Sequence, residues 1–237
     1  MVTSKNKLYT KKEIEKLGTD NCLNEFSEGN NALKELLLYF YNNNIYSIAC
    51  CAGHDNASKD SYILIKLKTK HLKNVYNFIN NNSNQIYKVS FMINHTLFKC
   101  NTVSFRVPNK NKESSSTFFE NILSSFKETN CKINKNLIIE FLQKCFKEHV
   151  KFKHISIHIF INPINSKIID IGMLILDDIN ISKKVPKEIM DFYRTNRFIM
   201  LNLNKIDIET ALIQYNEIIN KFIEIDNKID FYLNNNI

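Results

Sequence analysis

"YSIACCAGHDNASKDSYILIKLK" (Tyr46 to Lys68) holds two short apolar runs on either side of the polar loop "AGHDNASKD". Runs this short, parted by a loop with a glycine, read as a strand pair, the first over Ile45 to Cys51 and the second over "SYILIKLK". Working outward, Leu33, Leu36, Leu37 and Phe40 recur at helical spacing, with Asn30 or Asn31 placed to cap that helix. On the other side Thr69 is placed to cap a helix carrying Leu72, Val75, Tyr76 and Ile79 on one face. Two further strands, at 86–93 and 98–107, complete an α-β-β-α-β-β order.

Beyond it, "PNKNKESSS" (Pro108 to Ser116) is polar, contains a proline and ends in serines that can cap a helix bearing Phe119, Ile122, Leu123 and Phe126. A boundary near residue 112 follows, giving units 1–112 and 113–237, or the two joined as one compact domain. The next helix turns Ile138, Phe141, Leu142 and Cys145 inward. Strands at 152–161 and 167–176 flank the turn "NPINS". Pro186 opens a short helix, and Ile208, Leu212, Tyr215, Ile219 and Phe222 mark a long last one. The α-β-β-α order of residues 31–80 recurs in 135–194. The expected fold class is α+β, with mixed or antiparallel sheets and helices packed on one face, and the recurrence allows two similar α-β-β-α halves.

The chain of 237 residues suits one domain or two small ones, and 44% apolar content with 11% aromatics is ample for a core. No run approaches the roughly 18 to 20 apolar residues of a membrane span, and "MVTSKNKLYTKKEIEK" lacks the apolar middle of a signal peptide, so a cytoplasmic protein away from the membrane is expected. Six cysteines (Cys22, Cys50, Cys51, Cys100, Cys131, Cys145) are too thinly spread for a disulfide scaffold and read as reduced thiols. The net charge of +8 favours approach to nucleic acid or to an acidic protein. Part of that charge has a compositional source, because Lys far exceeds Arg and asparagine runs such as "YNNNI" accompany it, as AT-rich coding sequence dictates.

Alternation along the first strand turns Tyr46, Ile48 and Cys50 one way, with Cys50 expected in the core, and Cys51 the other way, at the strand end. There Ala52 and Gly53 let the backbone turn tightly or approach a ligand, and His54 and Asp55 follow. Three chemistries fit these types. Cys51 and His54 have the spacing of two zinc ligands, with Cys145 and His149 as the nearest second pair. Cys51 could be a nucleophile activated by His54. A ligand-binding loop formed by Cys51, Gly53, His54 and Asp55 uses more of the residues than either, with backbone N–H groups brought toward a phosphate or base. A plain tight strand exit stands against all three. No metal and no cofactor is expected.

The helix, short apolar strand and Cys-x-Gly-His exit resemble the S-C-S-G-R segment of the wybutosine-synthesis methyltransferases, and the CC-x-GH segments of uncharacterised phage and plasmid proteins. The resemblance spans about 35 residues, with Cys51, Gly53 and His54 in the matching positions. It implies a mobile-element accessory or inhibitor protein. His54 replaces the arginine of the methyltransferase segment, and the rest of that family has no counterpart here, so tRNA modification and S-adenosylmethionine are not carried over.

In "KHISIHIFI", Ile155, Ile157, Ile159 and Ile161 face the core, while His154, Ser156 and His158 line a polar, partner-facing surface. His154 and His158 stand about 13 Å apart on a strand, too far for one metal. Arg106 beside Phe105, and Arg194 and Arg197 near Tyr193, have the pairing common at nucleic-acid and protein interfaces. Asp177 and Asp178 form an acidic pair at a strand end, a commoner feature of turns than of Mg²⁺ sites. Walker, GxGxxG and HExxH motifs are absent. The expectation is a basic binding protein engaging a nucleotide, nucleic acid or acidic protein, with a Cys/His enzyme acting on nucleic acid or a nucleotide as the alternative.

Overall fold

The computed structural model describes residues 15, 18–53, 60–82, 87–95, 100–108, 112–128, 137–146, 152–162, 165, 167–175 and 178–235. In chain order the elements are α1 (Thr19–Phe26), α2 (Asn31–Asn42), β1 (Ser47–Cys51), β2 (Ser61–Lys66), a 3₁₀ turn (Thr69–His71), α3 (Leu72–Asn81), β3 (Lys88–His95), β4 (Cys100–Val107), α4 (Lys112–Lys127), α5 (Leu137–Cys145), β5 (Ile155–Ile161), β6 (Ile168–Ile175), α6 (Asp178–Lys184), α7 (Lys187–Asn196), β7 (Phe198–Asn202) and α8 (Ile208–Asn235). The strands follow the order β1-β2-β4-β3-β5-β6-β7, and β1/β2, β5/β6 and β6/β7 pair antiparallel. The fold is α+β, as the alternation of apolar periods indicates.

Two compact units emerge, one of residues 1–89 with 103–132, the other of 90–102 with 133–237. The first keeps α4, which begins at Lys112, inside the polar segment Pro108 to Ser116.

In the first unit the Asn30 side chain accepts a hydrogen bond from the Leu33 N–H at 3.0 Å, satisfying an otherwise unpaired donor at the start of α2. Leu33, Leu36, Leu37 and Phe40 are buried as their spacing predicts. The helix ends where Asn44 takes a left-handed conformation and the Ile45 N–H donates to the Phe40 carbonyl. Rings join the layers: Phe40 meets Phe126 of α4 edge-on at 5.0 Å, and Phe78 of α3 meets Phe105 of β4 edge-on at 5.1 Å. On α3 it is Phe78, not Tyr76, that completes the buried face with Leu72, Val75 and Ile79. Thr69 begins a 3₁₀ turn instead of capping α3 with its side chain.

In the second unit Ile155, Ile157, Ile159 and Ile161 of β5 join Ile169, Ile171, Met173 and Ile175 of β6 in a buried apolar layer. The α7 helix is pinned to it by Tyr193, whose hydroxyl donates to the Met173 carbonyl and accepts from the Ile175 N–H, both at 3.4 Å. Phe141 of α5 meets Tyr215 of α8 edge-on at 5.8 Å. Asp226 of α8 is buried, and its two carboxylate oxygens accept the Lys153 and His154 backbone N–H groups at 2.8 Å each. A helix carboxylate thus fixes the entry to β5. The chain order α5-β5-β6-α7-β7-α8 repeats α2-β1-β2-α3-β4-α4, with β3 extra in the first half and α6 extra in the second.

Candidate nucleic-acid interface

The end of β1 is tied into the first unit by its own hydrogen bonds. The Ala52 N–H donates to the Glu28 carboxylate at 2.9 Å, and the Ser61 hydroxyl donates to the Ala52 carbonyl at 2.8 Å and lies 2.6 Å from the Ser115 hydroxyl of α4. Glu28 itself has a positive φ of 51°, beside Gly29, so the turn after α1 is shaped to present that carboxylate. Gly53 has φ 87°, where a side chain is strained, and its N–H donates to Cys51 Sγ at 3.4 Å. Cys51 is therefore buried at the strand exit. His54 and Asp55 lie outside the described residues.

Cys50 was expected in the core. It pairs with buried Ile63 across β2, yet it is only half-buried, because β1 is an edge strand. Desolvation, with the Glu28 and Cys51 charges adding to it, pushes its thiol up to about 12, so at neutral pH it is protonated and a poor nucleophile. Beside the exit, Arg106 pairs with Asp60 at 3.6 Å and lies over the Tyr62 ring at 5.6 Å.

The second unit carries a different kind of surface. With the isoleucines of β5 facing inward, register places His158, Gly172 and Phe198 in one row across β5, β6 and β7, and Phe160, Asp170 and Met200 in the next. Ser156 pairs with Leu174 at the end of the face. Leu174, Phe198 and Met200 are 48%, 56% and 63% exposed, so large apolar side chains stand in water on an open sheet face. Gly172 explains how Phe198 is held. A Cβ at Gly172 would meet two ring carbons of Phe198 at 2.6 and 2.8 Å, so the ring lies on the glycine. Along β5, from one row to the next, His158 stacks on Phe160, with centroids 5.9 Å apart and planes 19° from parallel, and comes within 3.1 Å of the Ser156 hydroxyl. Arg197 lies over the Phe198 ring at 5.4 Å. The result is a patch of flat π-surfaces with a cation at one end.

Of the five surface residues singled out in the sequence, His158 and Arg197 come together on this face. Arg106 belongs to the first unit. His154 turns to Asp230 of α8 at 2.9 Å, and that carboxyl is held below its usual range, first by Lys153 and then by His154. Arg194 pairs with Asp191 along α7 at 3.1 Å. Sequence reading missed Phe198, Met200 and Gly172. Among the described residues no three His, Cys, Asp or Glu side chains cluster to hold a metal, and no helix is long and apolar enough to cross a membrane. Compared with known protein families, curated proteins and solved structures, the chain matches none of them.

Proposed function

We propose that this protein binds single-stranded nucleic acid on the open face of β5, β6 and β7. The observation that carries the reading is the Phe198 ring laid on Gly172, with His158 in its row and Phe160 in the next. Unpaired bases stack on such rings, at about 1–3 kcal/mol each, whatever their sequence. A duplex has its bases already stacked on one another and gains little from the same surface. The net charge of +8 supplies the long-range attraction for phosphate, and Arg197 adds a cation next to the ring. The buried Cys51 and the protonated Cys50 give the alternative, a thiol-based enzyme, no comparable support.

The test is Phe198→Ala with a dye-labelled single-stranded oligonucleotide, read by fluorescence anisotropy. Because Phe198 is half in water, the variant keeps its fold. Affinity is expected to fall about tenfold or more. Wild-type affinity in that variant, or no binding by the wild-type chain at low salt, would remove the proposal.

A further inference from the structure

In the middle of this face stands Asp170, an acidic residue on a surface otherwise suited to a polyanion. Its Cα partners are Phe160 on one side and Met200 on the other. It is half-buried, and among the described residues no hydrogen bond or ion pair engages its carboxylate. Such a group repels phosphate, so it has no use as a backbone contact. An ionised carboxylate only accepts hydrogen bonds, and it accepts two in parallel when donors lie side by side.

The bases differ in what they offer it. Single strands expose the Watson–Crick edge. On that edge guanine presents the N1–H and the N2 amine next to each other, matching the two oxygens. Adenine and cytosine each offer an amine beside an acceptor nitrogen, and uracil sets its one N–H between two carbonyl oxygens that a carboxylate repels. We infer that Asp170 is a specificity residue that reads guanine in a single strand stacked on the adjacent rings. This inference rests on the reading of the face as a single-stranded nucleic-acid site.

The experiment measures binding of short uridine-rich oligonucleotides that differ at one central base: guanine, inosine, adenine, cytosine or uracil. The wild-type chain is expected to prefer guanine over uracil by about tenfold, with inosine, which keeps N1–H and lacks the amine, in between. Asp170→Asn, which removes a negative charge and replaces one acceptor with a donor, is expected to abolish the preference while binding the uridine strand at least as well as wild type. Equal wild-type affinity for all five strands overturns the inference and leaves the stacking surface standing. A guanine preference that survives Asp170→Asn does the same. A wild-type chain that binds none of the strands overturns both.

Discussion

Gly172→Ala puts the stacking surface to a severe test, because the added methyl falls on the Phe198 ring at 2.6 and 2.8 Å, where ordinary contact begins near 3.4 Å. Carbon atoms pack best about 3.5–4.0 Å apart, so the ring must move by about 1 Å. The clash is with the far end of a side chain that is 56% exposed, not with backbone. The ring therefore swings off the sheet and the strands stay paired. The stability cost should stay near the low end of overpacking, about 1 kcal/mol, since what is lost is a cross-strand contact at the surface. Binding should suffer more. With the ring tilted away from its place beside His158, the loss of one stacked base removes about 1–3 kcal/mol, roughly a fivefold to 150-fold drop in affinity. Urea denaturation followed by circular dichroism gives the first quantity and anisotropy the second. In a Phe198→Ala background the alanine at 172 has no ring to displace, so its effect on binding should vanish, and the cycle isolates the coupling. Gly172→Ala with wild-type affinity, or an equal loss with and without Phe198, would refute the reasoning.

Three predictions concern stability. His71 is buried, and desolvation, with Lys70 and Lys68 adding to it, lowers its pKa from 6.5 to about 4. Between those values the unfolded chain binds a proton that the folded one refuses. Stability is thus complete above pH 6.5 and falls as pH drops toward 4, by about 2 kcal/mol once solvent screening is allowed for. Urea midpoints at pH 7 and 4.5 should converge in His71→Gln relative to wild type, and an unchanged difference would show the group is not responsible. Asp230, whose pKa is lowered, contributes in a separate window, losing its effect below about pH 3.8. Asp226→Ala should cost about 1–3 kcal/mol, because it removes the acceptor of the part-buried Lys153 and His154 N–H groups, and a urea shift under about 0.5 kcal/mol would contradict that reading.

Strong local periodicity made much of the fold legible in the sequence. Leu33, Leu36, Leu37 and Phe40 define α2, Asn30 caps it, and alternating isoleucines define β5 and its buried side. Short elements without such a signal were not legible. The α1 helix is only eight residues long, buries only Cys22 and Leu23 and has no side-chain cap bond, so few positions mark it in the sequence. The β7 strand is "FIMLN", five residues without polar alternation or flanking Gly or Pro, and by itself it cannot be told from the tail of α7. Its pairing with β6 makes it a strand, and pairing is non-local. The candidate surface was hidden for the same reason. Gly172 reads as a weak point in a strand until Phe198, far along the chain, is laid across it. His158 and Arg197 drew attention through their own sequence neighbours, which say nothing about the ring that lies in the row between them. Cys50 is the converse case: alternation gave its direction, and only the edge position of β1 leaves it incompletely buried.

The most direct measurement uses the fact that the chain contains no tryptophan. Phe198→Trp places a single indole on Gly172, and its emission reports only what happens on that face. Titration with a single-stranded oligonucleotide should quench it saturably, with the same affinity that anisotropy gives, and that affinity should fall linearly on a log–log plot against salt, with a slope of about −0.7 for each phosphate neutralised. Binding seen by anisotropy that leaves the tryptophan emission unchanged would place the nucleic acid elsewhere on the protein and contradict the account.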